Sequence, residues 1–415
     1  MIKFKILVGQ IGMPKCIILY HYYYPDDVVS SRHFAGLAEG LCANGWDVTV
    51  LTSDRYCRKE DIIYSAREIY KGVRIQRFRR PPFLQSKNIG RLLNSFCLSV
   101  QWFLALLFQK ADVVIFGTDP QFSFFLIPFL AFLRPKLRFA IWGFDLYPEA
   151  IAADGIKVPR LIMKLLEWWA GISYRCCGLL VDIGSCMRRR FLAYHPKAKF
   201  ETIVPWALSE PKKPEAQDGS IRRELFGDAA LGILYSGTIG RAHQFEEFIL
   251  LARELRKRNA SVKFCFAGGG NKYKDLQNMI TSEDCNITFT GFVDEKLLPL
   301  RLASADIHMI SLRYGWEGVV VPSKFFGSLA TGRPLLYCGT PDSYVAELIA
   351  REGFGYIVEK NTVKKIADCL EALSNDKTDL LNMQEATFSY YKRYFSKDIQ
   401  CIKWDKCLME YIDLD

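Results

Sequence analysis

Two stretches in the second half of the sequence combine glycines, cations and hydroxyl groups in a way that suits anion binding. The segment 237–243, GTIGRAH, follows an apolar strand-like run and leads toward a helix, so its glycines let the backbone approach a ligand closely. Arg241 and His243 add side-chain donors, and the start of a helix favours negative charge. The predicted site is a cradle for a diphosphate, and the alternative is a tight turn with a solvated arginine.

The segment 317–332, EGVVVPSKFFGSLATG, supplies a second candidate anion site. Its apolar run stops at Pro322 and Ser323, and a helical pattern begins at once with Lys324. A helix N-terminus together with one lysine again favours an anion. The simpler alternative is a helix that Ser323 caps while Lys324 stays in solvent.

Two further glycine-containing turns follow predicted strands. In the segment 290–293, TGFV, Phe292 and Val293 present an apolar face that suits a nucleobase. The run 268–270, GGG, is a weak signal alone, because such turns also serve simply to connect a strand to a helix.

Two blocks of alternating strand and helix patterns position these turns. The first block contains predicted strands at 16–20, 48–52, 73–78, 112–116 and 137–142. The second contains predicted strands at 233–237, 262–267, 286–289, 307–311, 334–338 and 355–358. This alternation predicts an α/β fold of two doubly wound domains that face each other across a cleft. Ligands bind at the carboxyl ends of such strands, which is where the glycine-rich turns lie.

A polar segment divides the two blocks and fixes the predicted domain boundaries. Residues 209–220 contain hardly an apolar side chain and are typical of an interdomain linker. We therefore predict an N-terminal domain over 1–208, a C-terminal domain over 221–385 and a helical tail over 386–415 that packs back on the body. Residues 1–12 precede the first strand and are interpreted as an extension.

Composition excludes several classes of protein. Of 415 residues, 50% are hydrophobic and 24% charged, which excludes wholesale disorder, collagen-like repeats and small disulfide scaffolds. The 13 cysteines form no CxxC pairs or zinc pattern, so a reduced, cytoplasmic location is expected. The net charge of +10 points to an anionic partner: nucleic acid, a phosphate-bearing ligand or a membrane.

The cationic excess is concentrated in residues 71–110, which contain no acidic residue. The second part of this segment, 92–108, is an uncharged helical run rich in aromatic residues. An aromatic helix flanked by cations favours peripheral association with an anionic membrane, on the inner face of the cell membrane. A buried core helix with an incidental basic loop and a true membrane span are the alternatives. Nucleic-acid motifs are not recognised in the sequence, so no nucleic-acid partner is expected.

The joint order of these motifs resembles family 4 glycosyltransferases of the GT-B fold, in particular the branch that makes bacterial envelope polysaccharides. The C-terminal matches are the segments 236–241, 290–293 and 322–334; the N-terminal matches are 24–27, 145–149 and 204–206. No single motif is strong, but together they span nearly the whole chain in the family's order. The resemblance implies a C-terminal domain that binds a nucleotide-sugar and an N-terminal domain that binds the acceptor.

The sequence departs from the family at a pair of glutamates near the second anion site. Their slots fall on Val319 and Gly327, and neither is acidic. Glu317 is close enough to substitute, so we assign sugar binding to Glu317 and phosphate binding to Arg241 and Lys324. The roles of the family's two glutamates are therefore not assigned to Val319 and Gly327.

The resemblance assigns roles to three sets of residues. The donor set is Gly237, Thr238, Gly240, Arg241, His243, Gly268, Phe292, Val293, Glu317, Pro322, Ser323 and Lys324. The acceptor set is Asp26, Asp27, Ser30, Asp145 and Glu149, and the catalytic set is Asp119, Asp145, Arg241 and Lys324. Asp119 and Asp145 end predicted strands, and for each the alternative is a turn or helix-cap aspartate.

The implied activity is transfer of a sugar from a nucleotide-sugar, a UDP-sugar by expectation, to a lipid-linked or envelope glycan acceptor. The resemblance further implies a retaining hexosyltransferase that needs neither a metal nor a cofactor. A sugar-nucleotide epimerase of the same fold and a non-catalytic GT-B scaffold subunit are the alternative functions. The missing glutamate pair keeps the scaffold alternative open.

Overall fold

The computed structural model describes residues 12–57, 61–85 and 88–413, and of Asn88 the backbone alone. The predicted extension, apart from Gly12, lies outside the described residues, as does Lys87 of the basic segment. The described chain forms two α/β domains, each built on one sheet. The prediction of two doubly wound α/β domains is therefore confirmed.

The N-terminal domain is built on an eight-stranded sheet. Its strands are β1 Lys15–Leu19, β2 Asp47–Ser53, β3 Arg67–Tyr70, β4 Val73–Phe78, β5 Val113–Gly117, β6 Arg138–Trp142, β7 Leu179–Asp182 and β8 Lys199–Thr202. Its helices are α1 Val29–Ala43, α2 Asn88–Phe108, α3 Ile127–Leu133, α4 Glu149–Ala153, α5 Arg160–Arg175 and α6 Ser185–Leu192, with a short 3-10 turn over Ser123–Leu126. The strand order is β3-β4-β2-β1-β5-β6-β7-β8.

The C-terminal domain is built on a six-stranded sheet in the order β11-β10-β9-β12-β13-β14. Its strands are β9 Leu231–Thr238, β10 Val262–Gly269, β11 Ile287–Thr290, β12 Ile307–Ser311, β13 Leu335–Cys338 and β14 Gly355–Val358. Its helices are α7 Gly219–Phe226, α8 Glu246–Lys257, α9 Tyr273–Asn278, α10 Leu298–Ala303, α11 Lys324–Ala330, α12 Tyr344–Glu352, α13 Val363–Asn375 and α14 Thr378–Tyr394. A last helix, α15 Lys397–Ile412, follows.

The N-terminal sheet differs from the prediction at both edges. Strands β3, β7 and β8 were not predicted. Strand β3 pairs antiparallel with β4, whereas every other pair of described strands is parallel. The residues of β3 alternate between exposed and half-buried, so this edge strand lacks the apolar run that marks a central strand. Strands β5 and β12 are buried throughout, because helices cover both faces of each sheet.

The C-terminal helix returns to the N-terminal domain. The Trp404 ring packs edge-on against Trp142 with centroids 5.3 Å apart, and Trp46 donates its indole N–H to Asp405 at 2.7 Å. Helix α14 instead packs on α11 of the C-terminal domain. The chain therefore crosses between the domains twice, once through residues 209–218 and once between α14 and α15.

Helix α2 has one buried and one exposed face. Leu98, Trp102 and Leu106 are fully buried against the domain, whereas Phe96 and Phe108 are exposed. The stretch Ile89–Phe108 is long and apolar enough to cross a membrane by length and composition, but it is packed as a surface helix of this domain.

The basic residues before α2 do not form one open patch. Arg77 is buried and donates to Glu68 at 2.8 Å and to the Tyr24 carbonyl at 2.8 Å, and Arg80 is fully buried. Arg74 pairs with Asp47, and Lys71 pairs with Glu39 at 3.3 Å. Most of these cations therefore stabilise the fold, which the local sequence could not show because their carboxylate partners are distant in the chain.

Candidate active site

Glycines line the carboxyl ends of the adjacent parallel strands β9 and β10 and the loops that follow them, and we call this surface the glycine-lined turn. Gly237, Gly268 and Gly270 have φ angles of 129°, 143° and 146°, which favour glycine. A Cβ atom on Gly268 would lie 2.0 Å from the Gly237 carbonyl oxygen, and one on Gly270 would lie 2.3 Å from that of Ile239. The turn therefore needs glycine both for backbone conformation and for the close approach of the two strand ends.

Lys324, the first residue of α11, lies over this turn. A Cβ atom on Gly237 would come within 2.7 Å of the Lys324 Cε atom. The Lys324 ammonium group donates to the Thr238 carbonyl at 3.3 Å and sits 5.1 Å from the centre of the Tyr235 ring. Burial lowers the pKa of Lys324 to about 8, so the group still carries its charge for most of the time at pH 7.

His243 differs from the expectation that it donates to a ligand. Its Nδ1 atom lies 2.9 Å from the Ser311 carbonyl oxygen, so this nitrogen carries the proton. Its Nε2 atom lies 3.4 Å from the Lys324 ammonium group and accepts from it. Burial, with Lys324 adding to it, lowers the pKa of His243 to about 3. His243 is therefore a neutral residue that orients Lys324.

Arg241 contacts the other domain. Its guanidinium group pairs with the Asp154 carboxylate at 2.6 Å, although the Arg241 side chain remains more than half exposed. Arg313 donates to the Ala153 carbonyl of the same N-terminal segment. Arg241 thus stands at the edge of the glycine-lined turn as an interdomain contact.

Glu317, which was predicted to replace the family's glutamate pair, also lies at the domain boundary. The Glu317 carboxylate accepts from the Gly315 N–H at 2.8 Å and lies 3.7 Å from Arg190 of the N-terminal domain. Val319 is fully buried. A Cβ atom on Gly327 would meet nothing within 4 Å, so the second slot faces open space.

The remaining predicted donor residues surround the turn or follow neighbouring strands. Phe292 is 67% exposed after β11, and its ring lies 3.2 Å from where a Cβ atom of Gly269 would stand. Ser323 is exposed and its side chain makes no cap hydrogen bond, so the simple N-cap interpretation does not describe this helix start. Thr238 and Gly240 lie in the turn after β9, Val293 follows Phe292, and Pro322 precedes Ser323.

Two carboxylates end strands of the N-terminal domain. Asp119 follows β5, and its side chain lies 3.4 Å from Nδ1 of the buried His21. Asp145 follows β6, and its backbone N–H donates to the Thr118 hydroxyl at 3.1 Å. The Asp145 side chain is open to solvent but surrounded by protein mass, and this desolvation, with Asp119 adding to it, raises its pKa to about 6.

The other predicted acceptor residues divide between this cluster and structural positions. Asp26 is buried and accepts from the Cys57 N–H at 2.7 Å, so it holds the loop after β1. Glu149 accepts from the Tyr194 hydroxyl at 2.7 Å, which ties the start of α4 to the segment after α6. The structure therefore places Asp26 and Glu149 in turn and helix packing rather than beside Asp145.

Ser30 and Asp27 are the remaining residues of the predicted acceptor set. Ser30 is within hydrogen-bonding reach of Tyr20, whose pKa is raised by burial and then by Asp119. Asp27 is half-buried next to Asp26. Ser30 is thus the acceptor-set residue, besides Asp145, that the structure brings toward the carboxylate pair.

The two candidate regions meet across the cleft. The backbone N–H of Leu146 donates to the Val319 carbonyl at 3.0 Å, so the loop that carries Asp145 touches the loop that leads to Lys324. Three loops on the N-terminal side contain a cis peptide bond, at Tyr24-Pro25, Asp119-Pro120 and Tyr147-Pro148. The arrangement places a cation and backbone amides in one domain and carboxylates in the other.

A cavity of about 760 Å³ adjoins the glycine-lined turn on the C-terminal domain, and Arg241, His243, Lys272, Arg313 and Lys360 are among its lining residues. Lys324 and Gly237 do not line it. Across the described ranges, no group of three His, Cys, Asp or Glu side chains is placed to hold a metal ion.

Sequence reasoning missed His21 and the interdomain partners Asp154 and Arg190. The signal for His21 is topological: β1 and β5 are adjacent parallel strands, so the residues that follow them meet. His21 follows β1 by two positions, as Asp119 follows β5. Nothing in the local sequence identifies Asp154 or Arg190, because their partners belong to the other domain.

Comparison with known proteins gives this geometry a family context. Residues 230–376 match the family model described as "Glycosyl transferases group 1". A probable glycosyltransferase, WbjE, from Pseudomonas aeruginosa is 22% identical over 329 residues, which cover 78% of this chain and 80% of that protein. The residues that match the family model, 230–376, include the glycine-lined turn and Lys324.

Solved structures show the same two-domain architecture. Sucrose-phosphate synthase from Thermosynechococcus elongatus superposes with a TM-score of 0.71 at 13% identity, over 97% of this chain and 100% of that one. WaaG, a glycosyltransferase involved in lipopolysaccharide biosynthesis, gives 0.61 at 14% identity, over 93% and 97%. Anabaena HepE in complex with UDP gives 0.64 at 11% identity, over 95% and 100%. Residues 230–376 are thus similar to the group 1 glycosyltransferase family model, and the chain as a whole has the GT-B fold.

Proposed function

We propose that this protein transfers a sugar from a UDP-sugar to a lipid-linked or envelope glycan acceptor at the cytoplasmic face of the cell membrane, with retention and without a metal or cofactor. One observation carries the proposal: the loop that leads to Lys324, the charged lysine over the glycine-lined turn, contacts the loop that bears Asp145, an aspartate of raised pKa. The UDP bound by HepE and the lipopolysaccharide role of WaaG support the choice of donor and acceptor class.

The donor diphosphate is assigned to the turn after β9 and to Lys324. The glycines keep this surface free of side chains, so the phosphate oxygens can approach the backbone closely. Lys324 is bonded to a neutral carbonyl and a neutral imidazole, and a diphosphate competes for its ammonium group with full negative charge. His243 keeps that ammonium group in position.

The main catalytic contribution follows from where charge develops. When the bond from the anomeric carbon to the diphosphate breaks, negative charge builds on the leaving phosphate oxygen. A preorganised cation such as Lys324, partly enclosed by protein, stabilises that charge more than water does. Arg241 is the second cation of the catalytic assignment and contributes once it exchanges its Asp154 partner for phosphate.

The rest of the donor is assigned to neighbouring loops. The exposed Phe292 ring, with Val293 beside it, offers an apolar platform for the nucleobase. Glu317 offers a carboxylate to sugar hydroxyls, in place of the family's glutamate pair. Open space beside Gly327 remains available to the donor.

The acceptor hydroxyl is assigned to Asp145 and Asp119. With a pKa of about 6, Asp145 is mostly ionised at pH 7 and accepts a hydrogen bond from the incoming hydroxyl. In a retaining transfer the acceptor attacks from the face that the diphosphate leaves, so the departing phosphate oxygen can take the proton of the acceptor hydroxyl and a separate base is not obligatory. The carboxylates then orient the acceptor, and Ser30 lies near them.

A donor panel tests this function. Purified protein is incubated with UDP-, GDP- and dTDP-sugars, with and without a polyprenyl-diphosphate-linked sugar, and released nucleoside diphosphate is measured. We expect acceptor-dependent UDP release that persists in EDTA. Absence of hydrolysis and of any nucleotide-induced thermal shift would contradict the enzymatic role, and conversion of the donor to its epimer without an acceptor would favour the epimerase alternative.

A further inference from the structure

Three helices on one side of the N-terminal domain expose large apolar side chains. Helix α3 packs against both α2 and α5, so the three form a continuous surface, which we call the apolar face. Its most exposed members are Phe132 at 84% and Phe108 at 82%, and α5 adds Leu161, Leu165 and Trp168. Contiguous exposed apolar side chains of this kind mark an interaction site.

We propose that the apolar face of α2, α3 and α5 docks on an anionic membrane surface, with α5 as its second anchoring helix. This inference rests on the proposed function, because it specifies how a lipid-linked acceptor is reached. The apolar face, rather than the arginines before α2, is then the source of membrane affinity, because Arg77 and Arg80 are buried in the fold.

The charges on the apolar face complement an anionic membrane. Lys157, Arg160 and Lys164 are exposed on and just before α5, and no carboxylate of the described chain pairs with them. Along the stretches 88–108, 127–133 and 156–168 there is one acidic residue, Glu167. Cations that flank exposed Trp, Phe and Leu side chains are the pattern of a helix that lies in a membrane interface.

The same charges disfavour a second copy of this chain as the occupant. In a symmetric dimer the same patch meets itself, so the cations at one end would face either one another or Lys110 and Lys136 at the other end. Glu167 is a single carboxylate and cannot compensate for all of these cations. A bilayer with anionic headgroups compensates them without such repulsion.

The topology places one end of the apolar face at the acceptor site. Helix α2 follows β4, α3 follows β5 and α5 follows β6, so all three helices begin at the carboxyl edge of the sheet, where Asp119 and Asp145 lie. A membrane held against this face therefore lies beside the mouth of the cleft. An acceptor can keep its lipid in the bilayer while its sugar reaches the carboxylates.

A series of aromatic rings connects the Asp145 loop to the apolar face. The Tyr147 ring lies 5.7 Å from Phe122, which lies 5.0 Å from Phe125. Phe125 lies 6.5 Å from Trp169, and Trp169 lies 5.7 Å from the exposed Trp168. This row of rings offers continuous apolar contact from the cleft to the membrane side, which suits the first part of a lipid chain.

Vesicle sedimentation of the full-length protein tests the proposal. The vesicles are phosphatidylcholine with or without phosphatidylglycerol. The test variants are Leu161→Ser/Trp168→Ser in α5 and Phe96→Ser/Phe108→Ser in α2. The control is Leu381→Ser/Ile402→Ser, because these side chains are similarly exposed, at 61% and 58%, on α14 and α15. A UDP-induced thermal shift, measured for every variant, reports folding and donor binding separately.

We expect wild type and control to sediment with phosphatidylglycerol vesicles and each test variant to bind them at least about tenfold more weakly. The α5 variant binding as tightly as wild type would overturn the role of α5. If the wild-type protein does not bind anionic vesicles, or if it forms a dimer that the same substitutions dissociate, the apolar face does not dock on a membrane. Loss of the UDP shift in every protein, with vesicle binding as expected, would instead contradict the proposed donor and leave the membrane face standing.

Discussion

The two domains use the same βα scaffold but end their strands with opposite chemistry. In the C-terminal domain, β9 and β10 end in glycines, and Lys324 lies over them. The resulting surface is cationic and consists mostly of backbone. The N-terminal domain ends β5 and β6 with Asp119 and Asp145. The comparison shows that, in this fold, the sheets supply position, whereas a few residues after each strand supply function.

Enclosure by protein brings the pKa values of Lys324 and Asp145 closer together. It lowers the pKa of Lys324 to about 8 and raises that of Asp145 to about 6, because desolvation disfavours the charged form of either group. Both groups are still mostly charged near pH 7. A neutral pH is therefore the range in which the cationic and anionic halves of the site coexist.

The largest effect is expected from removing the cation of the C-terminal half. Lys324→Ala should lower kcat/KM for UDP-sugar by about 100-fold or more, since a preorganised charge donor to the leaving group is lost. Exposed Lys257 at the end of α8 is the matched control, and Lys257→Ala should leave kcat/KM within about twofold. Equal activity of the two variants would remove Lys324 from the site.

The anionic half should show a different kinetic pattern. Asp145→Asn keeps the shape but loses the charge, and should lower kcat about 100-fold while UDP affinity stays unchanged. Asp61→Asn, an exposed aspartate elsewhere in the N-terminal domain, serves as the control. Weakened UDP binding in Asp145→Asn would contradict the division of roles between the domains.

Introducing glutamate at Val319 and at Gly327, the positions of the family's glutamate pair, should change the free energy of unfolding by very different amounts. Val319→Glu places a carboxylate in a fully buried position and should lower the free energy of unfolding by about 3 kcal/mol or more. Gly327→Glu meets open space within a helix and should stay within about 1 kcal/mol of wild type. Thermal or denaturant unfolding measures both, and similar losses would show that the surroundings of Gly327 are closed.

The pH dependence of kcat/KM should be bell-shaped. Activity should rise as Asp145 loses its proton near pH 6 and fall as Lys324 loses its proton near pH 8. Asp145→Asn should remove the acid limb, and Lys324→Arg, whose guanidinium keeps its proton, should move the alkaline limb upward. A profile that neither substitution changes would assign the limbs to other groups.

The smallest effect is expected at the contact between the halves. Arg241→Ala should weaken UDP binding by about three- to tenfold, since its side chain is more than half exposed and its pair with Asp154 is worth little. A double-mutant cycle with Asp154→Asn, read by isothermal titration with UDP, separates the ion pair from phosphate binding. Unchanged affinity in Arg241→Ala would leave Arg241 with the interdomain contact alone.

Most parallel strands of both domains were predictable because buried parallel strands are nearly continuous apolar runs. β1, β9 and β12 follow this rule, and helix boundaries next to them followed from glycine and proline. The exceptions are β7, which has only four residues, and β8, which is half-buried throughout. The antiparallel edge strand β3 was missed because half of its residues face solvent. Edge strands are stabilised on one side only, so their sequences carry less of the pattern.

The candidate site was predictable where the residues of a short segment indicate a function without reference to distant partners. The glycine-lined turn and Lys324 belong to motifs that lie within three short segments of the C-terminal domain, 237–243, 268–270 and 317–332. The roles of Arg77, Asp26 and Glu149 were not, because each is decided by a partner far away in the chain. Local sequence shows that a charge is present but not whether another element neutralises it.

A crystal structure of the protein with UDP tests the central claim most directly. We predict the diphosphate on the turn formed by Gly237 and Gly268, with the Lys324 ammonium group within hydrogen-bonding distance of a phosphate oxygen and moved away from the Thr238 carbonyl. The base should lie against Phe292. UDP bound instead in the cavity lined by Lys272 and Lys360, with Lys324 still on Thr238, would contradict the account.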